Sequence, residues 1–200
     1  MSVSTSPTRE QLLRTAERLF LTDGYDAVSV RAICAGAGAN PAAVHYHFGS
    51  KDQLATALLE ARLTPLWADQ LMSIDTSRAS VAALVDIVIS PFVEIQHDPA
   101  GHLHLQLLAR FVHANPEAPW HGAWFDLDRW ADVLVAMVGA LGHDQARRRW
   151  ALAFELILSR FSAERPLSDD AVTSLTEFVV AGLGQPCTPA TVTNPAAVSS

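Results

Sequence analysis

His45, Tyr46 and His47 place one phenol and two imidazoles within a single turn of chain, and Lys51 follows shortly after. These groups donate and accept hydrogen bonds near neutral pH. With an ammonium beside them they suit phosphate oxygens or the edges of nucleobases. Covalent chemistry fits less well. The chain has no G-x-S-x-G, no H-E-x-x-H, no P-loop and no dinucleotide glycine pattern. Its other His and Asp residues are scattered, with no nucleophile beside them, so no enzymatic activity and no cofactor are expected.

The elements around the cluster are short. Asn40 followed by Pro41 pairs a capping side chain with a first-turn proline, which predicts a helix over 41–47. Ala42 and Ala43 keep its start small enough for a backbone to approach a ligand closely. Upstream, Ser29 predicts the cap of a helix over 30–36, followed by a turn at Gly36-Ala37-Gly38. The free amides beside Ser29 offer a further phosphate site. Gly49 stops the second short helix, and Ser50 with Gln53 restarts the chain as another. Two short helices joined by a glycine turn form a helix-turn-helix, whose second helix enters the DNA major groove. The candidate DNA-binding residues are Ser29, Val30, Arg31, Asn40, Pro41, Ala42, His45, Tyr46, His47 and Lys51. Ile33, Val44 and Phe48 are assigned to packing between the helices.

Helical periodicity dominates the rest of the chain, and the expected fold class is all-α. A first helix begins near Thr8, which has capping-box spacing to Gln11, and ends at Gly24. The helix after Ser50 continues past Arg62 and is expected to kink or end near Thr64, before Pro65. Five more are expected: 79–96 with a kink at Pro91, 99–114, 119–141, one from about Asp144, and one from Ser168 to Gly182 or Gly184. This divides the chain into a helix-turn-helix domain (1–62), a helical domain (63–184) and a flexible Pro/Thr/Ala-rich tail (185–200).

Composition sets the limits. The chain has 200 residues, half of them hydrophobic, and a net charge of −7. Six basic and six acidic residues cancel within 1–62, so the remainder carries the whole −7. A neutral head on an acidic body suits a head that approaches phosphate. The N-terminus does not read as a signal peptide, and charges interrupt each apolar run before the ~18 residues of a membrane span. A soluble, cytoplasmic protein without a membrane partner is expected. Cys34 and Cys187 make neither a disulfide framework nor a zinc site. Cys34 reads as a small buried packing residue.

The opening stretch resembles the N-terminal domain of the TetR family of bacterial repressors. The resemblance rests on Leu19-Phe20, Gly24-Tyr25, Ser29-Val30, Ile33, Ala37-Gly38, Tyr46-His47-Phe48, Ser50-Lys51 and Leu54, and covers about residues 8–60. Ala42 stands where the family often has Gly, and His45 where it often has the first of two tyrosines. The resemblance implies a homodimer on a palindromic operator, an effector-binding helical domain, and dimerisation through the last two helices. The expected function is that of a ligand-responsive repressor released from its operator by a small-molecule effector; an activator on the same fold, or a helical small-molecule or metal carrier without DNA function, is the alternative.

For dimerisation the apolar faces of the last two helices supply Trp150, Ile157, Phe161, Val172, Leu175, Phe178 and Val179. For an apolar or aromatic effector the candidates are Trp67, Phe92, His104, Leu107, Phe111, Trp124, Trp130 and Phe154. His104 also reads as a hydrogen-bonded core histidine. The run of His97, His102, His104, His113 and His121 lacks zinc-motif spacing, and no metal site is assigned. Arg147, Arg148 and Arg149 read as a solvated face at a helix start.

Overall fold

The computed structural model describes residues 6–114 and 126–185. Nine helices and no strand occur among the described residues: α1 (Pro7–Asp23), α2 (Val30–Gly36), α3 (Ala43–Phe48), α4 (Lys51–Ser73), α5 (Val81–Ile95), α6 (Pro99–Ala114), α7 (Leu127–Met137), α8 (His143–Phe161) and α9 (Asp169–Gly184).

Local chemistry sets most of the boundaries. Ser29, Ser50, Ser80 and Ser168 each accept a bond from an amide three residues on, and so cap α2, α4, α5 and α9. α1 starts one residue before the expected Thr8. Pro7 takes its first turn, where the missing N–H costs nothing, and Gln11 accepts from Arg14 rather than completing a capping box. α3 starts at Ala43, two residues later than expected. Asn40 does bond forward, to the Ala42 amide at 2.9 Å, but that bond closes a turn over Pro41 and Ala42 ahead of the helix. α7 is shorter than the expected 119–141. It is capped by Asp126 and ends where Val138 leaves helical dihedrals; residues 115–125 lie outside the described part. Only three residues separate α5 from α6, and a Cβ on Gly101 would stand 2.3 Å from the Ile95 carbonyl oxygen. Glycine is what lets this corner close.

α4 does not stop at Pro65. It runs unbroken from Lys51 to Ser73, across the expected domain boundary at 62–63. A proline removes one helical hydrogen bond. Here Leu63 and Trp67, on either side of it, are fully buried, and that burial outweighs the loss. α5 likewise continues through Pro91. α4 packs against α1 and α3 on the head side, and against α5 and α6 in the body.

The body closes around two aromatic groups. Trp67, Phe92 and Phe161 join α4, α5 and α8, with ring centres 5.1 and 5.4 Å apart. Trp130, Trp150 and Phe154 join α7 to α8 at 5.1–5.6 Å. Buried Gln96 ties the end of α5 to the α8–α9 loop, accepting from the Leu167 amide at 2.8 Å. None of the described helices is long and apolar enough to cross a membrane.

Candidate nucleic-acid interface

α2 and α3 meet at a turn that Gly38 makes possible, with φ at +60°, where a Cβ would strain the backbone. The Ala39 amide returns to the Cys34 carbonyl at 2.9 Å. Cys34 is buried, and its thiol donates to the Pro41 carbonyl at 3.5 Å. It is the packing residue expected from sequence; Cys187 lies outside the described residues.

α3 has two faces. Ala43 and Val44 are buried against the head, while His45 and Tyr46 point outward. Tyr46 is 85% exposed. It does not pack under α4. Instead it meets the half-buried His47 edge-on at 5.0 Å. An aromatic ring of this size in water is unusual on a helix whose neighbours are well packed. Phe48 is half-buried, with the Arg9 guanidinium 5.0 Å above its ring, and belongs to the packing.

Beside Tyr46 lies an open groove of about 840 Å³. One wall is the start of α1, with Thr8, Gln11 and Arg14; the other is the α2–α3 turn, with Gly38, Asn40 and Ala42. The α1 residues escaped the sequence reading. Their only signal is polarity on the outer side of an amphipathic helix, which any solvated face would share.

The other candidates divide. Ser29, Arg31, Asn40, Pro41 and Ala42 are exposed, and of these Asn40 and Ala42 line the groove. Val30 is half-buried against the core, which leaves little of its side chain for DNA. Ser29 spends its hydroxyl on the Ala32 amide. Lys51 differs most from expectation. Its ammonium donates to the carbonyls of Tyr25 (2.9 Å) and Val28 (3.0 Å) and sits 4.2 Å from the Tyr25 ring centre. Two of its three N–H groups are thereby used inside the head.

The head and the body are joined by charge. Glu17 of α1 accepts from His104 of α6 at 2.8 Å and from Arg62 of α4 at 3.0–3.2 Å. Burial pushes the Glu17 carboxyl up, but the hydrogen bonds from His104 and Arg62 outweigh it and hold its pKa at about 2. His104 is therefore the hydrogen-bonded core histidine, and the bond it makes is to the head.

This changes the effector set. His104, Leu107 and Phe111 share the buried side of α6, and two of them meet head residues: His104 meets Glu17, and Phe111 meets Tyr25. Trp67 and Phe92 belong to one aromatic group, Trp130 and Phe154 to the other, and Trp124 lies outside the described residues. The described candidates are thus spread over two aromatic groups and the face of α6 toward the head, because apolar periodicity does not say which neighbour a face will meet. The dimer set changes too. Trp150, Ile157, Phe161, Leu175 and Val179 are buried within their own chain, and Val172 is half-buried. Phe178 alone of the set stands out, 68% exposed, and Leu152 joins it at 67%.

The histidine run disperses. His97 faces Gln96, His102 faces Gln106, His104 faces Glu17, and His113 donates to the Ala109 carbonyl. His121 lies outside the described residues. The arginine run is not one solvated face. Arg147 pairs with Asp128 at 2.9 Å, and Arg149 donates to the carbonyls of Leu183 and Gln185, where the negative end of α9 attracts it.

Residues 12–58 match the model of the bacterial regulatory proteins of the tetR family. The head is a TetR-family domain. Among its relatives, the transcriptional regulator UidR of Escherichia coli strain K12 is 26% identical over 121 residues, 58% of each chain. The transcriptional repressor KstR2 of Mycobacterium tuberculosis strain H37Rv is 30% identical over 108 residues, 54% of each. The chain thus spans little more than half the length of these curated relatives. The crystal structure of NalD, the secondary repressor of the MexAB-OprM multidrug efflux pump in Pseudomonas aeruginosa, shares the fold with a TM-score of 0.60 and 23% identity, over 88% of this chain and 95% of NalD. The TetR head therefore comprises α1–α3 and the first turns of α4, and the other described residues continue the same all-helical architecture.

Proposed function

We propose that the chain is a ligand-responsive transcriptional regulator, a repressor, that binds a palindromic operator as a homodimer. The observation that carries this is Tyr46, 85% exposed on a six-residue helix whose opposite face is buried, beside a groove between α1 and the α2–α3 turn. α3 presents Tyr46 and His45, and the turn before it presents Asn40, to base edges and phosphates, and Thr8, Gln11 and Arg14 add phosphate donors along the other wall. Lys51 acts mainly from inside the head. No enzymatic step is assigned. The test is selection of duplexes from a random-sequence pool by the purified chain at two salt concentrations. A shared palindrome, lost steeply at higher salt, supports the reading. The Tyr46→Ala variant is expected to bind the selected duplex about 10-fold more weakly with unchanged thermal stability. Equal binding by the variant removes Tyr46 from the interface.

Dimerisation is assigned to the outward sides of α8 and α9, where Leu152 and Phe178 leave large apolar groups in water. Neither is part of the core, so charging both tests association without unfolding the chain. The double variant Leu152→Asp/Phe178→Asp is expected to weaken self-association by about 100-fold and to sediment as a monomer. A dimer at unchanged concentration dependence places the interface elsewhere. The effector is proposed to be apolar or aromatic and to act within the helical body. The buried indole N–H of Trp150 has no hydrogen-bond partner among the described residues, and a ligand acceptor there would satisfy it. About 1–3 kcal/mol of coupling between effector and DNA sites suffices for such a switch.

A further inference from the structure

Residues 24–29 lead from α1 into α2, and both parts of the molecule grip them. From the head, Lys51 donates to the carbonyls of Tyr25 and Val28, and the Tyr25 hydroxyl donates to Asp52. From the body, Arg110 of α6 makes two bonds of 2.8 Å to Asp26. Its guanidinium carbon lies 4.8 Å from the Tyr25 ring centre, and Phe111 meets that ring edge-on at 5.5 Å. Two cations, one from the head and one from the body, thus share one aromatic ring. The segment ends at Ser29, the cap of α2, so its position sets where the helix-turn-helix begins.

The Arg110–Asp26 pair is exposed, at 48% and 79% of their side chains, and an exposed pair adds little to stability. What a two-bond guanidinium–carboxylate contact does supply is orientation. We propose that Tyr25 is a positioning residue that transmits the position of α6, through Arg110 and Asp26 on one side and Lys51 on the other, to the start of the helix-turn-helix. The destination of the signal rests on the DNA-binding reading; the transmission itself is measurable without DNA.

The test uses the full chain and three variants: Arg110→Ala, Lys51→Ala and the double. Amide hydrogen exchange without DNA is read first. Arg110→Ala is expected to speed exchange about 10-fold across residues 25–30 while the global unfolding midpoint stays in place. Binding to a duplex selected by the unaltered chain is read second. Arg110→Ala is expected to weaken it about 5-fold in the native background and less than about 2-fold beside Lys51→Ala, because the relay is already cut. Arg110→Lys, which restores a cation near the ring but not the paired bonds to Asp26, is expected to recover only part of the exchange protection. Unchanged exchange across 25–30 in Arg110→Ala overturns the proposal. So does an equal loss of affinity in both backgrounds. If no duplex can be selected, the DNA-binding reading fails and the exchange result still decides the relay.

Discussion

Replacing Trp67 by Ala is expected to lower the stability of the chain by about 3–5 kcal/mol, the range for deleting a large buried aromatic side chain. Trp67 is fully buried, its ring centre is 5.1 Å from that of Phe92, and its indole N–H donates to the Val88 carbonyl at 3.1 Å. It stands two residues beyond Pro65 and helps tie α4 to α5. Removing it opens a cavity and loses a buried hydrogen bond at once. The smaller change Trp67→Phe keeps an aromatic ring and strips the donor, and about 1–3 kcal/mol is expected there. Urea titration of both variants checks the order. If Trp67→Ala costs less than Trp67→Phe, burial at this position is not what carries α4 through Pro65.

The second large effect is a dependence on acid. The Glu17 carboxyl is held at about 2, against an ordinary value of 4.5. A depressed carboxylate stabilises the fold fully above its unfolded value, and that stability is lost as pH falls through the folded value. The window is therefore from about pH 4.5 down to about pH 2. Full conversion of the shift overstates the effect because Glu17 is partly exposed, and about 2 kcal/mol remains after that discount. Glu17→Gln is expected to lose about the same amount at pH 7, since it leaves Arg62 with Glu10 alone and gives His104 a neutral acceptor. Its stability should then change less than that of the native chain between pH 5 and pH 3. Urea midpoints of both chains at pH 7, 5 and 3 decide the matter: parallel curves would mean that the head–body pair does not stabilise the native state.

Much of the head was legible in the residues themselves. A serine three positions before an amide, a glycine at positive φ and an asparagine before a proline act within a few residues. Ser29, Gly38, Asn40, Gly49 and Ser50 therefore announced the helix-turn-helix and its spacing. The outward position of Tyr46 was less legible. Its spacing put it on α3, but only packing made Ala43 and Val44 the inner face. Pro65 shows local reasoning overruled, because a lost helical hydrogen bond is small beside the burial of Leu63 and Trp67. The apolar faces of α6, α8 and α9 were visible as stripes, yet a stripe names no partner. Packing turned His104 and Phe111 toward the head, Ile157 and Val179 into their own chain, and left Phe178 in water. The charge contacts were invisible for the same reason. Glu17 and His104 are 87 residues apart and Asp26 and Arg110 are 84 apart, distances over which sequence carries no pairing rule. By itself the sequence determined the all-helical class, the serine caps of α2 and α4 and the helix-turn-helix motif, because these depend on dihedrals and hydrogen bonds between near neighbours. The tertiary structure decided how the head is held to the body, because that depends on which surfaces the packed helices bring within bonding distance.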